Sequence, residues 1–518
     1  MALIQNRKNN QRVLLNGLVI VIAIIVLSPL LGLINEGIIG LRNNQVTLGI
    51  DGVNQIKGTL YLLIGSALLG GFLGTANGWL LANCRFPGRR LLKIAQLIPF
   101  ATPAYLLSAT LIDLGSIYTI RIYGMVWGIL VMTLTTYPYV FLLSTESFSK
   151  SGRRQLEACR SLGIGPWNSF RKVALPIAMP AIGAGIALMS MEIVNELGAV
   201  QLLNIPSISA GIVENWIAKG NPTGAIALAL IALVLVITLV AYERILRSRS
   251  RRWTDGVAGG ESPEWELKGP RAILAQLLGL LPPCFTLGVP LLWAFVNIEQ
   301  LKTGLNLELI YLTARSLGLG LIAASTTLLA ALILAIAKRW NTSHWIRSLT
   351  FLSGIGYAIP GAVLALALQS FSSPPLKLTP IILLIWGYSN RFLAVAKGGL
   401  DAALERLSPS LDEAATGLGC QWQEVFRRVH LPLLKGPIAV GALLVFVDTI
   451  KELPLTFVLR PFDFDTLSVR IFQYASDERM AESILPALMI LFLGLIASAA
   501  LIPGLESGET IVKKKISN

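Results

Sequence analysis

Four carboxylates carry the most evident capacity for binding chemistry: Glu192, Glu196, Asp448 and Glu452. They form two pairs, each spaced by four residues, and the second pair repeats the first after 256 residues. Four-residue spacing predicts that each pair shares one face of a helix. Carboxylate oxygens are hard ligands and suit a hard cation. Charged groups embedded in apolar helices face cavities and mark pathways. The structural alternative is that they anchor loops, with Asp448 paired to Lys451 and Glu196 exposed. Lys451 stands where the first copy has Asn195, and tight ligation would slow release. The expectation is therefore a transient pathway site with no stable metal centre.

Other reactive side chains offer less. Cys84, Cys159, Cys284 and Cys420 form no CxxC pair, and His344 and His430 are the only histidines. Neither a disulfide framework nor a haem is expected. The sequence contains no G-x-x-x-x-G-K-[ST], no HExxH and no GxSxG. It therefore offers no recognisable phosphate-cradling loop or catalytic set. The chain is not expected to be an enzyme or to hold a cofactor, so any ATP must be bound by a partner.

The elements that position these residues are membrane spans. Of 518 residues, 54% are hydrophobic and 14% charged, and the mean hydropathy is +0.67. Soluble domains carry about 25% charged residues, so a large soluble enzyme is excluded. The apolar runs predict an all-α polytopic membrane protein. Spans are expected near 13–34, 58–83, 94–112, 122–146, 174–199, 223–244, 272–297, 308–337, 349–370, 379–398, 431–450 and 484–505, about twelve in all. The first run is too long for a signal-peptide core and no small-residue cleavage site follows it. Pro99, Pro103 and Pro360 are expected to kink spans three and nine.

Basic residues fix the orientation. The net charge of +14 would suggest nucleic acid in a soluble protein, but here basic residues mark the cytoplasmic loops. The loops that this topology makes cytoplasmic hold 32 of the 43 Lys and Arg residues. Both termini are then cytoplasmic, the partner surface is a lipid bilayer, and no nucleic acid is expected. Lys513–Lys515 read as a lipid-surface or orientation cluster. Arg391, within the tenth span, either snorkels or lines the route.

The chain also repeats itself. Glu157-Ala158-Cys159 with Gly163 recurs as Glu413-Ala414-Ala415 with Gly419. At the same offset Phe170 meets Phe426, and Leu175-Pro176 meets Leu431-Pro432. A looser match pairs Ala101-Thr102-Pro103 with Ala358-Ile359-Pro360. The halves, 1–248 and 271–518 joined by a cytoplasmic linker at 249–270, each hold six spans and so enter the membrane in the same orientation. Parallel repeats of this kind imply an axis along the membrane normal. Within each repeated loop the sequence predicts a short helix, a glycine turn, and a second helix leading into a span at Leu-Pro. Such a loop, held outside the lipid, is a knob for another protein.

The element E-A-[CA]-x3-G-x9-V-x-L-P resembles the EAA loop of inner-membrane permeases of ATP-binding-cassette (ABC) importers. The two loops are 157–176 and 413–432, and Cys159 for alanine is the only departure in the opening triplet. The resemblance implies a type I ABC importer permease (MetI-like) fold in a bacterial inner membrane. Glu157, Ala158, Gly163, Phe170 and Pro176, with Glu413, Ala414, Gly419, Phe426 and Pro432, would couple to two copies of an ABC ATPase, and an external substrate-binding protein would deliver the solute. Fused halves are most similar to the ferric-iron group, with thiamine permeases as near relatives. The stretches Asp448–Pro454 and Leu459–Leu467 resemble iron permeases in particular, and Fe³⁺ is a hard cation. The alternatives are a thiamine or other small-solute importer and, outside the class, an ion-coupled secondary transporter. The latter would carry titratable groups near the bilayer midplane and would not need twin docking loops.

Overall fold

The computed structural model describes residues 2–43, 48, 50–150, 153–251, 265–301, 306–340, 343–372, 377–405, 407–500 and 502. Most of the expected linker and the Lys513–Lys515 cluster lie outside the described residues. Helices dominate the described residues, with one pair of two-residue parallel strands, Cys84–Arg85 and Trp265–Glu266. Among the described residues eight helices are long and apolar enough to cross a membrane. The number becomes eleven when each of three sharply bent pairs is taken as one span. The expected twelve is thus not reached. The difference lies at 379–398, within the 26-residue helix Pro380–Glu405. At about 1.5 Å per residue it is long enough to cross, but Tyr388, Ser389, Asn390, Arg391 and Lys397 dilute its apolar run.

Two compact units make up the chain: Met1–Val46 with Ile310–Val469, and Thr47–Leu309 with Arg470–Asn518. Sequence repeat and spatial grouping therefore follow different boundaries. Helix Ala2–Arg42 groups with helices of the second half, whereas Pro270–Pro283, Val289–Val296 and Ile484–Ala500 group with those of the first.

In the unit containing Met1–Val46, a proline explains how the first helix is held. Pro29 lies inside Ala2–Arg42 and has no N–H to give the carbonyl of Ile25. Trp386 donates its Nε1–H to that carbonyl at 3.0 Å, and Asn390 donates to the carbonyl of Val26 at 2.9 Å. In a bilayer a carbonyl freed in this way must find a partner inside the protein.

In the other unit, Ile50–Asn83 carries Gly70, Gly74 and Gly78 at four-residue spacing. A Cβ on Gly74 would lie 2.9 Å from the backbone nitrogen of Phe141, and one on Gly78 2.2 Å from Ser144 Oγ. Small residues let Pro138–Lys150 approach at backbone distance, as in many membrane helix pairs.

The kinks expected at Pro103 and Pro360 are sharp breaks. Arg89–Ala101 and Ala104–Ile117 meet at 87°, and His344–Ala358 and Gly361–Phe371 at 113°. Each proline opens the second helix of its pair, and the residue before it is extended, as proline requires. Gln96 secures the first break. Its buried amide donates to the carbonyl of Gly279 at 2.7 Å and accepts from Asn77 and from the Tyr137 hydroxyl, both at 2.9 Å.

Candidate functional site: repeated loops and paired carboxylates

Each repeated loop lies within a unit of its own. In the first, helix Arg153–Ser161 exposes Glu157 and Ala158 and buries Leu156 and Cys159. Gly163 ends it with φ +70°, a left-handed value that favours glycine. The N–H of Gly163 then donates to Arg160 O at 3.0 Å and that of Ile164 to Cys159 O at 2.9 Å, satisfying the last carbonyls of the helix. Pro166 opens the short helix Pro166–Ser169, one wide π-turn spans Phe170–Ala174, and the span Leu175–Asn195 follows. The wide turn has a physical cause. Proline in an α-helix clashes with the carbonyl four residues earlier, and widening the backbone just before Pro176 relieves that contact.

The second loop repeats this at an offset of 256 residues. Helix Pro409–Gly417 exposes Glu413 and Ala414, Gly419 takes φ +85°, and Cys420 N–H donates to Ala415 O at 3.1 Å. The short helix Trp422–Val425, the π-turn Phe426–His430 and the span Leu431–Lys451 complete it. Pro176 and Pro432 are exposed at the starts of their spans, and Arg171, Lys172, Arg427 and Arg428 are exposed as well.

Phe170 and Phe426 are half-buried. Phe170 is part of an aromatic cluster, with ring centroids 5.3 Å from Trp79, 5.7 Å from Trp167 and 6.0 Å from Phe148. Trp265, at the linker end of the strand pair, closes the cluster 5.5 Å from Trp79. Sequence reasoning did not find Trp79 or Trp265, because no periodicity links aromatics so far apart. Trp265→Ala should loosen this platform by about 1 kcal/mol, the scale of one aromatic contact. Faster proteolytic cutting of the linker, with the helical content unchanged, is the expected result.

The carboxylates are placed differently from the expectation. Glu192 lies in the last turn of Leu175–Asn195 and Asp448 in the last turn of Leu431–Lys451, both partly buried. Asp448 pairs with Lys451 at 2.8 Å, the ion pair weighed from sequence. Glu196 and Glu452 do not continue the helical face: both lie one residue past the helix end with extended backbone. The shared-face geometry expected for each pair is therefore corrected. Each instead caps the short helix that follows. Glu196 Oε1 accepts from Ala199 N–H at 2.9 Å, and the Glu452 carboxylate accepts from the N–H groups of Leu455 and Thr456 at 3.1–3.2 Å. A carboxylate there satisfies N–H groups that have no partner within the helix. The signal was present in the sequence: Gly198 and Pro454 occupy equivalent places, and proline favours the first turn of a new helix.

Arg391 neither snorkels nor reaches open space. It is 5% exposed, lies 3.8 Å from Glu452 Oε1 through its Nε and donates to Ile359 O at 3.3 Å. A Cβ on Gly361 would come within 2.8 Å of Glu452 Oε1 and 3.1 Å of Arg391 Nη1, so glycine leaves the room that this ion pair fills. Tyr388 Oη and Thr456 Oγ1 extend the cluster at 2.6 Å. A separate cleft of about 1090 Å³ is lined by Asp51, Lys57, Glu214 and Glu478 among others, but by neither Glu192 nor Glu196. Among the described residues no three His, Cys, Asp or Glu side chains converge as a metal site.

The family model for the binding-protein-dependent transport system inner membrane component matches twice, at residues 67–252 and 327–501. The chain belongs to that family. Each match contains one repeated loop and the span that follows it, so the permease carries two fused copies of the family's unit. It is similar to the Fe(3+)-transport system permease protein FbpB 2 of Haemophilus influenzae, 28% identical over 464 residues covering 85% of this chain and 88% of the relative. Other relatives match over shorter stretches. The probable sulfate transport system permease protein cysT of Nephroselmis olivacea is 31% identical over 38% of this chain and 74% of its own. The sulfate transport system permease protein CysT of Escherichia coli is 33% identical over 29% of this chain and 57% of its own.

Proposed function

We propose that this permease carries ferric iron across a bacterial inner membrane, driven by a separate ATPase. The observation that carries the substrate is the near full-length likeness to an Fe(3+)-transport permease. The repeated loops support the drive: two exposed helices, each closed by a glycine turn and continued through a wide turn into a span, can transmit a push on one end to the other. In this reading one ATPase copy docks on each loop, through Glu157 and Glu413, and both loops and both termini face the cytoplasm. A binding protein delivers iron on the opposite side. The chain has no catalytic role of its own, and its halves are 1–248 and 271–518.

Glu192 and Asp448, each partly buried in the last turn of its own span, are the carboxylates we assign to transient contact with the cation, Asp448 exchanging its pairing with Lys451 for that contact. Replacing Glu192 and Asp448 together by alanine should lower iron uptake about tenfold or more, on the scale of coupling energies, and leave assembly with the ATPase intact. Undiminished uptake would remove them from the route.

Proteoliposomes test the whole reading. Vesicles holding the permease and its ATPase, supplied with iron-loaded binding protein, should accumulate radioactive iron only with ATP. ATP-driven uptake of thiamine or sulfate in place of iron would overturn the substrate and retain the drive. Accumulation against a gradient by the permease alone would overturn the drive itself.

A further inference from the structure

The two loops share backbone geometry but are not held in the same way. In the second, Asp412 immediately precedes Glu413. Its Oδ1 accepts from Nε2 of fully buried His430 at 2.7 Å, and its Oδ2 from Nε of Arg339 at 2.7 Å. Arg339 is the penultimate residue of Leu307–Trp340, and His430 ends the wide turn before Leu431-Pro432. The same guanidinium donates to the carbonyls of Leu404, Leu407 and Ser408, the chain leading into the docking helix. One carboxylate thus joins the start of the docking helix to the ends of two spans.

The first loop has apolar residues at the places of Asp412 and His430 and no charge at the place of Arg339. The offset of 256 residues sets Leu156 against Asp412 and Ala174 against His430. The same offset sets Asn83 against Arg339, and aligning the two 34-residue helices Ile50–Asn83 and Leu307–Trp340 end to end sets Ala82 there instead. All are buried, Ala82 at 6%, Asn83 at 0%, Leu156 at 1% and Ala174 at 4% exposure. A contact between apolar surfaces is non-directional and tolerates sliding. Charge-assisted hydrogen bonds fix distance and angle and resist it.

We propose that Arg339, Asp412 and His430 are positioning residues that lock the second docking helix to its spans, so that the two loops transmit motion unequally and the second is the stiff one. The proposal rests on the ATPase-docking reading above. It predicts that loosening the lock leaves the ATPase bound but weakens the link between delivery of substrate on one side and ATP hydrolysis on the other.

The test uses the complete transporter in proteoliposomes and compares ATP hydrolysis with and without iron-loaded binding protein. The combined replacement Arg339→Ala, Asp412→Leu and His430→Ala puts uncharged residues at all three positions, as in the first loop, and leaves no unpaired charge behind. The ATPase should co-purify as before, while stimulation by loaded binding protein falls about fivefold or more, the lower end of ordinary coupling between sites. His430→Ala alone should lower stimulation, and His430→Gln, whose amide can still donate to Asp412, should restore most of it. Full stimulation in the triple variant overturns the proposal. So does equal loss in His430→Ala and His430→Gln, or release of the ATPase by the triple variant, since those residues would then support the fold or the contact itself. Failure of the docking reading has a different signature, retention of the ATPase when Glu157 and Glu413 are reversed.

Discussion

Reversing both Glu157 and Glu413 to lysine should strip the ATPase from the permease. Both side chains are exposed on short helices whose ends are fixed by hydrogen-bonded glycine turns, so the substitution reverses the charge that each loop presents. Truncating one partner of a buried interfacial charge pair costs about 2–5 kcal/mol, and reversal adds repulsion. Two loops then compound the loss, and the ATPase should be absent from detergent-purified complexes at micromolar concentration. A single reversal should leave a complex that dissociates faster. Thermal unfolding of the permease alone should be unchanged in both variants. Full retention of the ATPase with substrate-stimulated hydrolysis would show that these helices are not the docking elements.

Arg391→Leu should produce the largest loss of stability. The guanidinium and the Glu452 carboxylate are both almost fully buried, with side-chain exposures of 6% and 3%. Removing one partner of a buried pair leaves the other charge uncompensated, at a cost of about 3–5 kcal/mol. The loss should appear as a marked fall in the unfolding temperature of the detergent-solubilised protein. Combining Arg391→Leu with Glu452→Gln removes both charges and keeps an amide oxygen to accept from Leu455 and Thr456. Much of the stability should return in that double variant. If single and double variants unfold alike, the pair does not contribute through charge.

The repeated loops were legible because their information is local. A glycine that must turn left-handed, a proline that opens a helix and a leucine-proline step that starts a span recur at one spacing, and the backbone follows them at Gly163, Pro166 and Pro176 and again at Gly419 and Pro432. The carboxylate pairs were half legible. Four-residue spacing suits a helical face only while the helix lasts, and it stops at Asn195 and Lys451. Partnerships distant in sequence were not legible at all. Nothing near Arg391 announces Glu452, and nothing near Asp412 announces Arg339, because such pairs are set by how helices pack and not by their period. The twelfth expected span is not among the candidate spans for a related reason: within Pro380–Glu405, Tyr388 bonds to Thr456 and Arg391 to the carbonyl of Ile359, and such polar residues dilute the apolar run.

Helix Ala2–Arg42 finds its packing partners among Gly361–Phe371 and Pro380–Glu405. During synthesis it emerges long before either of them. An apolar rod with a proline-freed carbonyl must therefore wait in the bilayer while the intervening helices are made, shielded by lipid or by an insertion chaperone. Separating the polypeptide at the linker into two co-expressed pieces would turn that wait into a bimolecular search, and the yield of assembled permease would then depend on the abundance of both pieces.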